Sequence, residues 1–520
     1  MNKEGKAEIF KEERVFYNPI QQFNRDLSVM AIKAYIELRD EAFEAKQAAK
    51  QAKKDNAQNA SNPKRRKIQA NLPKINVLEG LSATGLRAIR YAHEIPRINK
   101  IVANDLLPTA VEMINRNIEY NKVGDIVKAN QGDATKFMGG TDQKFHIIDL
   151  DPYGTATPFI DGAIQCVEED GMLLVTCTDA GVLAGAGYPE KCFALYGGNN
   201  FGSSFINSET NHEVGIRLML QLIASTAAKY KKAIEPVLCL SIDYYFRIFV
   251  RVKTRPIEVK KLSSRTMISF GCNGCGHKVN QPLGRVKGNK FQYPKLETVS
   301  GDCKYCSSYY TVAGPMFLPP LHNQDFIDKV LKINEASDKN VYGTTERIKG
   351  MLTLAKHELD TPFYFNLSQL ASIFKSNPIP IQEFSRAIGN LGYNISLTHA
   401  KKNCVKTDAP WETVLQIQKE WMIQANRKFL ESMEGKDDIS EKQQAKINAL
   451  KEDIAHNVNL AEHSVGYKVL QTLKPLESAV INFTDDNEQS QQLQKLRKVK
   501  MVRYQENPTK NWGPMSRPTK

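Results

Sequence analysis

At 520 residues with 41% hydrophobic content, the chain is long enough for about three domains and has ample apolar material for their cores. No apolar run approaches the roughly twenty residues of a membrane helix, and the start Met1-Asn2-Lys3-Glu4-Gly5-Lys6 lacks the pattern of a secretory signal, so a soluble intracellular protein is expected. The formal charge of +14 favours a polyanionic partner, and about half of it lies between Lys495 and Lys520, where eight Lys or Arg face the single acid Glu506; a basic end can also be merely solvated.

In chain order, the first feature is a shift of composition at 36–70, where Ala, Lys, Gln and Asn dominate and an inserted helix or linker is expected. It includes Pro63-Lys64-Arg65-Arg66-Lys67, either a nuclear import signal or solvated charge. A nuclear location is expected, with mitochondrion and cytoplasm left open.

A strand from Lys74 to Leu78 leads into Glu79-Gly80-Leu81-Ser82-Ala83-Thr84-Gly85 and a helical pattern from Leu86 to Glu94. Small residues there let the backbone approach a ligand at a helix N-terminus, although the spacing is not G-x-G-x-x-G. A second strand, Lys100 to Ala103, ends in Asn104-Asp105, twenty residues after Gly85, where an acid can hold the hydroxyls of a ribose. A third, Ile126 to Ala129, leads to Gln131-Gly132-Asp133-Ala134, suited to an adenine edge. The fourth, Phe145 to Leu150, delivers Asp151-Pro152-Tyr153-Gly154. The proline restricts its own backbone and that of its predecessor, so Asp151 can be aimed while Tyr153 offers a flat face; such a turn suits transfer of a methyl group to a ring amine. Any one of these acids could merely cap a helix. Four strands that each end in a polar residue, with helices between, describe a parallel sheet with its ligand at the carboxyl edge.

A fifth strand, Met172 to Cys177, and a helix from Glu213 to Tyr230 precede two strands, Pro236 to Asp243 and Tyr245 to Lys253, with almost nothing between them. Only a hairpin joins strands that close, so the last is antiparallel to its neighbour. That ending marks the sheet of S-adenosylmethionine-dependent methyltransferases and is missing from dehydrogenases.

Cys272-x2-Cys275 and Cys303-x2-Cys306 then form two knuckles 27 residues apart, longer than usual but absorbed by an excursion through Gly284, Gly288 and Pro294. Four such thiolates can close a tetrahedral, structural zinc site with no open position; disulfides do not suit a reducing compartment. His277 reads as a polar loop residue, and Cys166, Cys177, Cys192, Cys239 and Cys404 as packing. Beyond them, helical patterns at Leu367–Phe374 and Ile381–Leu391 are split by Asn377-Pro378-Ile379-Pro380 and followed by strand-like Tyr393–Leu397 and Asn403–Lys406, a winged-helix-like pattern that binds nucleic acid or is purely structural. From Glu412 to about Leu476 the chain is helical and charged without nameable chemistry, and Pro508 to Pro518, with Trp512, is too rich in turn formers for a helix.

The combination of Phe16-Tyr17-Asn18-Pro19, Asn24-Arg25-Asp26-Leu27-Ser28, Leu81 to Arg87, Asp149 to Gly154, Thr176-Cys177-Thr178-Asp179, His212-Glu213-Val214-Gly215, Gly314-Pro315 and Lys406 to Trp411 resembles the tRNA (guanine-26-N2)-dimethyltransferase family, in its eukaryotic type with a zinc ribbon, over roughly residues 5 to 411. The resemblance implies an α/β fold of the class I Rossmann-like methyltransferase kind, with a mostly parallel sheet and an antiparallel last strand, a zinc ribbon and a C-terminal winged-helix-like α+β domain. It implies that Arg25 and Arg87 meet the methionine carboxylate and its surroundings, Asp105 the ribose, and Asp133 with Ala134 the adenine of S-adenosylmethionine. Asp151, with Pro152 and Tyr153, would hold the guanine amine. Arg386, His399, Lys401 and Lys402 would contact folded tRNA, joined by Arg497, Lys498, Lys500 and Arg503 of the basic tail.

The expected division is therefore a methyltransferase domain at 1–260, a zinc ribbon at 261–320, a winged-helix-like tRNA-binding domain at 321–411, a charged helical region at 412–480 and a basic tail at 481–520. The expected activity is double methylation of the exocyclic amine of guanine 26 in tRNA, the second methyl resting on the resemblance alone; no obligatory protein partner is evident. Two rivals remain: methylation of an adenine amine in DNA or RNA, and a non-catalytic RNA-binding protein or tRNA chaperone.

Overall fold

The computed structural model describes residues 1–10, 15, 17–57, 72–296, 300–436, 438–474, 480–499 and 502. A short hairpin, β1 (Asn2–Glu4) and β2 (Ala7–Ile9), precedes the long helix α1 (Gln22–Ala57). Strands and helices then alternate: β3 (Ile75–Glu79), α2 (Leu86–Glu94), β4 (Ile98–Asp105), α3 (Pro108–Tyr120), β5 (Val127–Gln131), α4 (Ala134–Gly140), β6 (Phe145–Leu150), α5 (Ile160–Cys166) and β7 (Val167–Cys177). Two short helices, α6 (Ala180–Leu183) and α7 (Pro189–Tyr196), lead to α8 (Asn211–Lys229), β8 (Lys232–Ile242) and β9 (Tyr245–Thr254).

These strands form one seven-stranded sheet in the order β5-β4-β3-β6-β7-β9-β8. β3 to β7 run parallel, and β9 runs antiparallel to both β7 and β8, the hairpin ending expected from the sequence. All six residues of β6 are buried, so it reads as a mostly apolar run, with His146 and Asp149 as its polar members, rather than as an alternation. One face of the sheet is covered by α1, α2 and α3, the other by α4, α5 and α8. Chain order reverses between β3 and β6, and there the loops at the carboxyl ends of the strands open a crevice.

As far as Ala57, the Ala-rich stretch from residue 36 takes the first of its two expected forms, a helix, and that helix is continuous with α1. No Gly or Pro interrupts Gln22 to Ala57, so one helix continues; Phe23, Leu27, Met30 and Tyr35 are buried on the sheet, and exposure begins at Glu37. The shift in composition marks where α1 leaves the body. The cluster Pro63 to Lys67 lies outside the described residues.

After α9 (Pro256–Val259), β10 (Thr266–Cys272), β11 (Lys278–Pro282), β12 (Arg285–Lys287), β13 (Lys290–Gln292) and β14 (Tyr310–Phe317) build two small sheets, β11-β10-β14 against α8 and the separate ribbon β12-β13. α10 (Gln324–Glu335) and α11 (Thr345–His357) return to pack with α1. Then β15 (Phe365–Asn366), α12 (Leu367–Ile373), α13 (Ile381–Asn390), β16 (Ile395–Leu397) and β17 (Cys404–Thr407) follow the helix–helix–strand–strand order of a winged helix, with antiparallel strand order β15-β17-β16. α14 (Trp411–Met433), α15 (Glu441–Glu452), α16 (Val465–Thr472) and α17 (Glu488–Lys498) complete the described chain. Leu370, Phe384, Val405, Leu415, Val469 and Leu493 share a third apolar cluster with the four knuckle cysteines. Among the described residues no helix is long and apolar enough to cross a membrane.

Candidate active site and cysteine cluster

The loops after β3, β4, β5 and β6 and the start of α1 enclose a cavity of about 400 Å³, a size at the lower end of small-molecule sites. Arg25, Arg87, Asp105, Asp133, Ala134, Asp151, Pro152 and Tyr153 all line it. Gly85, at φ +78° and packed on Ile114, closes the β3 loop where α2 starts. Asn104 ties the loops together: its amide donates to the carbonyls of Gly80 at 2.9 Å and Gly132 at 3.1 Å, and it accepts from Asn130 at 2.7 Å. Asp105 accepts from the backbone N–H of Ala83 at 2.9 Å and of Leu107 at 3.0 Å, so its carboxylate is fixed at the strand end. Asp133 does cap α4, accepting from Thr135 N–H at 2.8 Å and Lys136 N–H at 3.1 Å, while also facing the cavity. Leu106 and Leu107, 58% and 46% exposed, leave apolar surface on the cavity wall where a flat ring can lie. An acid at the β4 end, polar groups after β5 and apolar flanks between them match the chemistry of an adenosine-bearing methyl donor.

Long-range pairs that sequence does not display hold the charged groups. Arg25 donates to both oxygens of Glu4, at 2.6 and 2.5 Å, and to the Asn18 carbonyl at 3.1 Å, a buried ion pair. Burial works against the Glu4 carboxylate, but Arg25 and Arg90 outweigh it and hold its pKa below the usual value. Arg90 also pairs with Asp26 at 2.7 Å, so the Asn24-Arg25-Asp26 motif is locked to α2 and β1.

Arg87 is buried and donates to Asp151, with Asp149 3.7 Å away on its other side. Asp149, buried, receives Arg247 at 2.9 and 3.1 Å and the Tyr91 hydroxyl. Its burial alone would raise its pKa; the guanidiniums of Arg247 and Arg87 reverse that and keep it a carboxylate. Glu79, fully enclosed in the β3 loop, is instead pushed up to about 8 by burial, against the hydrogen bond from Ser82.

The Asp151 turn is clamped from behind. Gly154 N–H donates to Thr178 Oγ1 at 2.8 Å, Thr178 N–H returns to the Gly154 carbonyl at 2.9 Å, and Thr155 Oγ1 meets the buried Tyr196 hydroxyl at 2.7 Å, which itself donates to Asp179 at 2.7 Å. Gly154 sits at φ +92°, where a side chain would be strained. Tyr153 is 54% exposed at the cavity mouth. Tyr17 and Tyr244 line the cavity too, and Asn18 donates to the Tyr244 hydroxyl at 3.3 Å. Tyr244, at the tip of the β8–β9 hairpin, carries no sequence signal; Asp149 and Glu79 were visible only as parts of motifs.

The four knuckle cysteines converge, with Sγ–Sγ distances of 3.4 Å for Cys272–Cys306, 3.8 Å for Cys272–Cys275 and 3.6 Å for Cys275–Cys303. A disulfide needs about 2.05 Å. A tetrahedral ZnS4 centre with Zn–S of about 2.3 Å needs about 3.8 Å between sulfurs, so the set fits zinc. Hydrogen bonds among the four thiols pull Cys306 down to about 6 and Cys303 lower still, while Cys272 and Cys275 are pushed up. His277 Nδ1 meets the Tyr310 hydroxyl at 2.9 Å. The other five cysteines are buried.

One RNA-contact expectation is corrected. His399 is buried, its Nδ1 donating to Glu358 at 2.6 Å and its Nε2 accepting from Ser241 N–H at 3.1 Å. With Lys406, 3.0 Å from Glu213 and 2.9 Å from Glu358, it pins the β16–β17 hairpin to α8 and β8 rather than facing a ligand. Lys401 stays 42% exposed beside Glu209, Lys402 is exposed, and Arg386 on α13 is paired with Asp486 at 2.8 Å. Arg497 and Lys498 lie exposed in the last turn of α17. Lys500, Arg503 and the segment around Trp512 lie outside the described residues.

Residues 1–419 match the family described as N2,N2-dimethylguanosine tRNA methyltransferase. The chain is similar to the tRNA (guanine(26)-N(2))-dimethyltransferase, mitochondrial, of Saccharomyces cerevisiae, 48% identical over 99% of this chain and 92% of that protein. It is 41% identical to the tRNA (guanine(26)-N(2))-dimethyltransferase of Schizosaccharomyces pombe, over 97% of this chain and 90% of that one. Among solved structures it resembles Trm1 from Pyrococcus horikoshii in complex with S-adenosyl-L-methionine, with a TM-score of 0.63 and 26% identity, covering 80% of this chain and 98% of that chain. The sheet with its antiparallel β9, the clamped Asp151 turn at its switch point and these matches along nearly the whole chain agree: the protein belongs to the N2,N2-dimethylguanosine tRNA methyltransferase family.

Proposed function

We infer that this protein transfers two methyl groups from S-adenosylmethionine to the exocyclic amine of guanine 26 in tRNA, forming N2,N2-dimethylguanosine. The observation that carries the reading is the Asp151 carboxylate, paired with Arg87 and set beside Tyr153 on the wall of a cavity suited to the methyl donor. The donor, when bound, supplies an electrophilic methyl carbon, so the protein's task is alignment more than acid–base strength. Asp105 would hold the ribose, Asp133 and Ala134 the adenine edge, and Arg25 and Arg87 the amino-acid end. Tyr153 stacks on the guanine. Asp151 accepts a hydrogen bond from the amine, turns its lone pair toward the methyl carbon, and takes the proton as the N–C bond forms and the S–C bond breaks. A second round requires Asp151 to pass its proton to solvent and a fresh donor to replace the spent one; the remaining N–H of the monomethylated amine would then rotate onto the same carboxylate.

Incubation with unmodified tRNA and methyl-labelled S-adenosylmethionine, followed by nucleoside mass analysis, tests this directly. Dimethylguanosine is expected; N6-methyladenosine, or no transfer despite donor binding, overturns it.

Zinc would be held by Cys272, Cys275, Cys303 and Cys306 as a structural ion. For RNA, Arg386, Lys401, Lys402, Arg497, Lys498, Lys500 and Arg503 supply positive charge. Deleting residues beyond Lys498 removes five cations and one acid. It is expected to weaken tRNA binding and to lower the slope of log affinity against log salt by up to about 3, at about 0.7 per lost phosphate contact. An unchanged slope in filter binding would make the tail a bystander. The Lys64 to Lys67 cluster supports nuclear import, and the likeness to a relative named mitochondrial supports a second, mitochondrial pool.

A further inference from the structure

We propose that the ribbon β12-β13 and its foot form an RNA-binding arm that takes tRNA phosphates on one face and stacks an unpaired base on the other. This rests on tRNA being the substrate. From 259 to 296 the sequence contains no Asp or Glu but eight cations, among them Lys260, Arg285, Lys287, Lys290 and Lys295. At the chain's mean frequency of 57 acids in 520 residues, a stretch this long would carry about four.

The ribbon is not explained by packing within the chain. Every residue from Arg285 to Leu296 is exposed, Tyr293 at 93% and Phe291 at 41%. A lone two-stranded ribbon is marginal in water, so apolar burial does not hold this one. It is braced at the foot instead: Gly284 closes onto Ser263, Leu283 N–H reaches the Thr266 carbonyl at 2.9 Å, Gln281 donates to the Lys295 carbonyl at 3.1 Å, and Arg285 Nε to the Tyr293 carbonyl at 3.1 Å.

The register sorts the side chains. Arg285 pairs with Gln292 and Lys287 with Lys290, so three cations share one face; Val286 pairs with Phe291 on the other, and Tyr293 continues that side. Cations on one face and flat rings on the other match a nucleotide strand, which presents phosphates to one side and bases to the other. Lys261 and Arg265 at the foot are already paired with Glu258, which leaves the ribbon and Lys260 as the outward-facing charge.

Two variants of the full chain test this: Arg285→Gln with Lys287→Gln and Lys290→Gln, and Phe291→Ala with Tyr293→Ala. The charge variant is expected to bind unmodified tRNA at least tenfold more weakly at low salt, with the salt slope lowered by about 2. The ring variant is expected to lose about fivefold or more in affinity with its slope unchanged. Turnover at saturating tRNA, methyl-donor affinity and metal content should stay at parental levels in both. Independently of any substitution, tRNA should shield Lys287 and Lys290 of the parent protein from amine-reactive labelling. A parent that makes no dimethylguanosine defeats the tRNA reading itself. An active parent with unshielded lysines, or a charge variant with parental affinity and slope, defeats the arm; a ring variant with parental affinity removes the stacking half.

Discussion

Replacing Asp151 by alanine is expected to slow methyl transfer by about 10²- to 10⁴-fold, the range spanned by removal of a positioned proton acceptor, while the fold survives. The side chain is 22% exposed, and the one charge it neutralises, Arg87, keeps Asp149 at 3.7 Å and Ser28 at 3.3 Å as partners. No buried cation is stranded, so the loss of stability should be small, on the order of 1 kcal/mol. The same bookkeeping gives the cofactor effect a sign. Arg87 and Arg247 face Asp149 and Asp151, two charges against two; without Asp151 this cluster becomes one unit more positive, and the adjoining cavity should hold a cationic sulfonium somewhat more weakly, by less than about tenfold at an effective surface dielectric. Single-turnover transfer with donor and tRNA both saturating separates the chemical loss from this binding loss. Asp151→Asn should sit between, because its amide oxygen still orients the amine but cannot take the proton. A variant that fails to fold, or one that transfers at the parental rate, would reassign Asp151 to structure or to a bystander.

The strands were legible because the sheet buries them on both faces: Phe145 to Leu150 is apolar at four of six positions without alternating, and the buried strand expected ahead of the Asp151 turn is there. The hairpin ending followed from two strands too close in sequence to do anything else. What stayed hidden is what depends on distant pairing. Nothing in Asn24-Arg25-Asp26 announces that Glu4 receives Arg25, or that Arg87, expected near the amino-acid end of the donor, lies against Asp151, 64 residues away. His399 shows the opposite error. The family resemblance implies an RNA contact here, with Lys401 and Lys402, yet folding closes that loop onto Ser241 and Glu358 and buries the ring. The Ala-rich composition after residue 36 allowed an extended helix or a linker, and through Ala57 it is helix, the continuation of α1 beyond its buried face.

Replacing Cys303 and Cys306 together by serine is expected to take zinc from one ion per chain to none and to destabilise the protein by several kcal/mol. Metal binding in small zinc modules is worth about 10–16 kcal/mol of folding energy, an upper bound here because the knuckles also share an apolar cluster with Leu415, Val469 and Leu473. The effect should not stay local. Trp411 Nε1 donates to the Cys275 carbonyl at 3.1 Å and Thr472 Oγ1 to the Tyr305 carbonyl at 2.7 Å, so the two knuckles anchor the start of α14 and the end of α16. The methyl-donor cavity, by contrast, is built entirely from residues 15 to 244. Loss of the ion should therefore cost tRNA affinity more than donor affinity. Metal analysis, thermal unfolding and the two binding constants read these effects separately: a folded double variant that keeps its zinc would move the ion elsewhere, and equal losses of tRNA and donor affinity would mean that the cluster supports the catalytic sheet directly rather than the C-terminal helices.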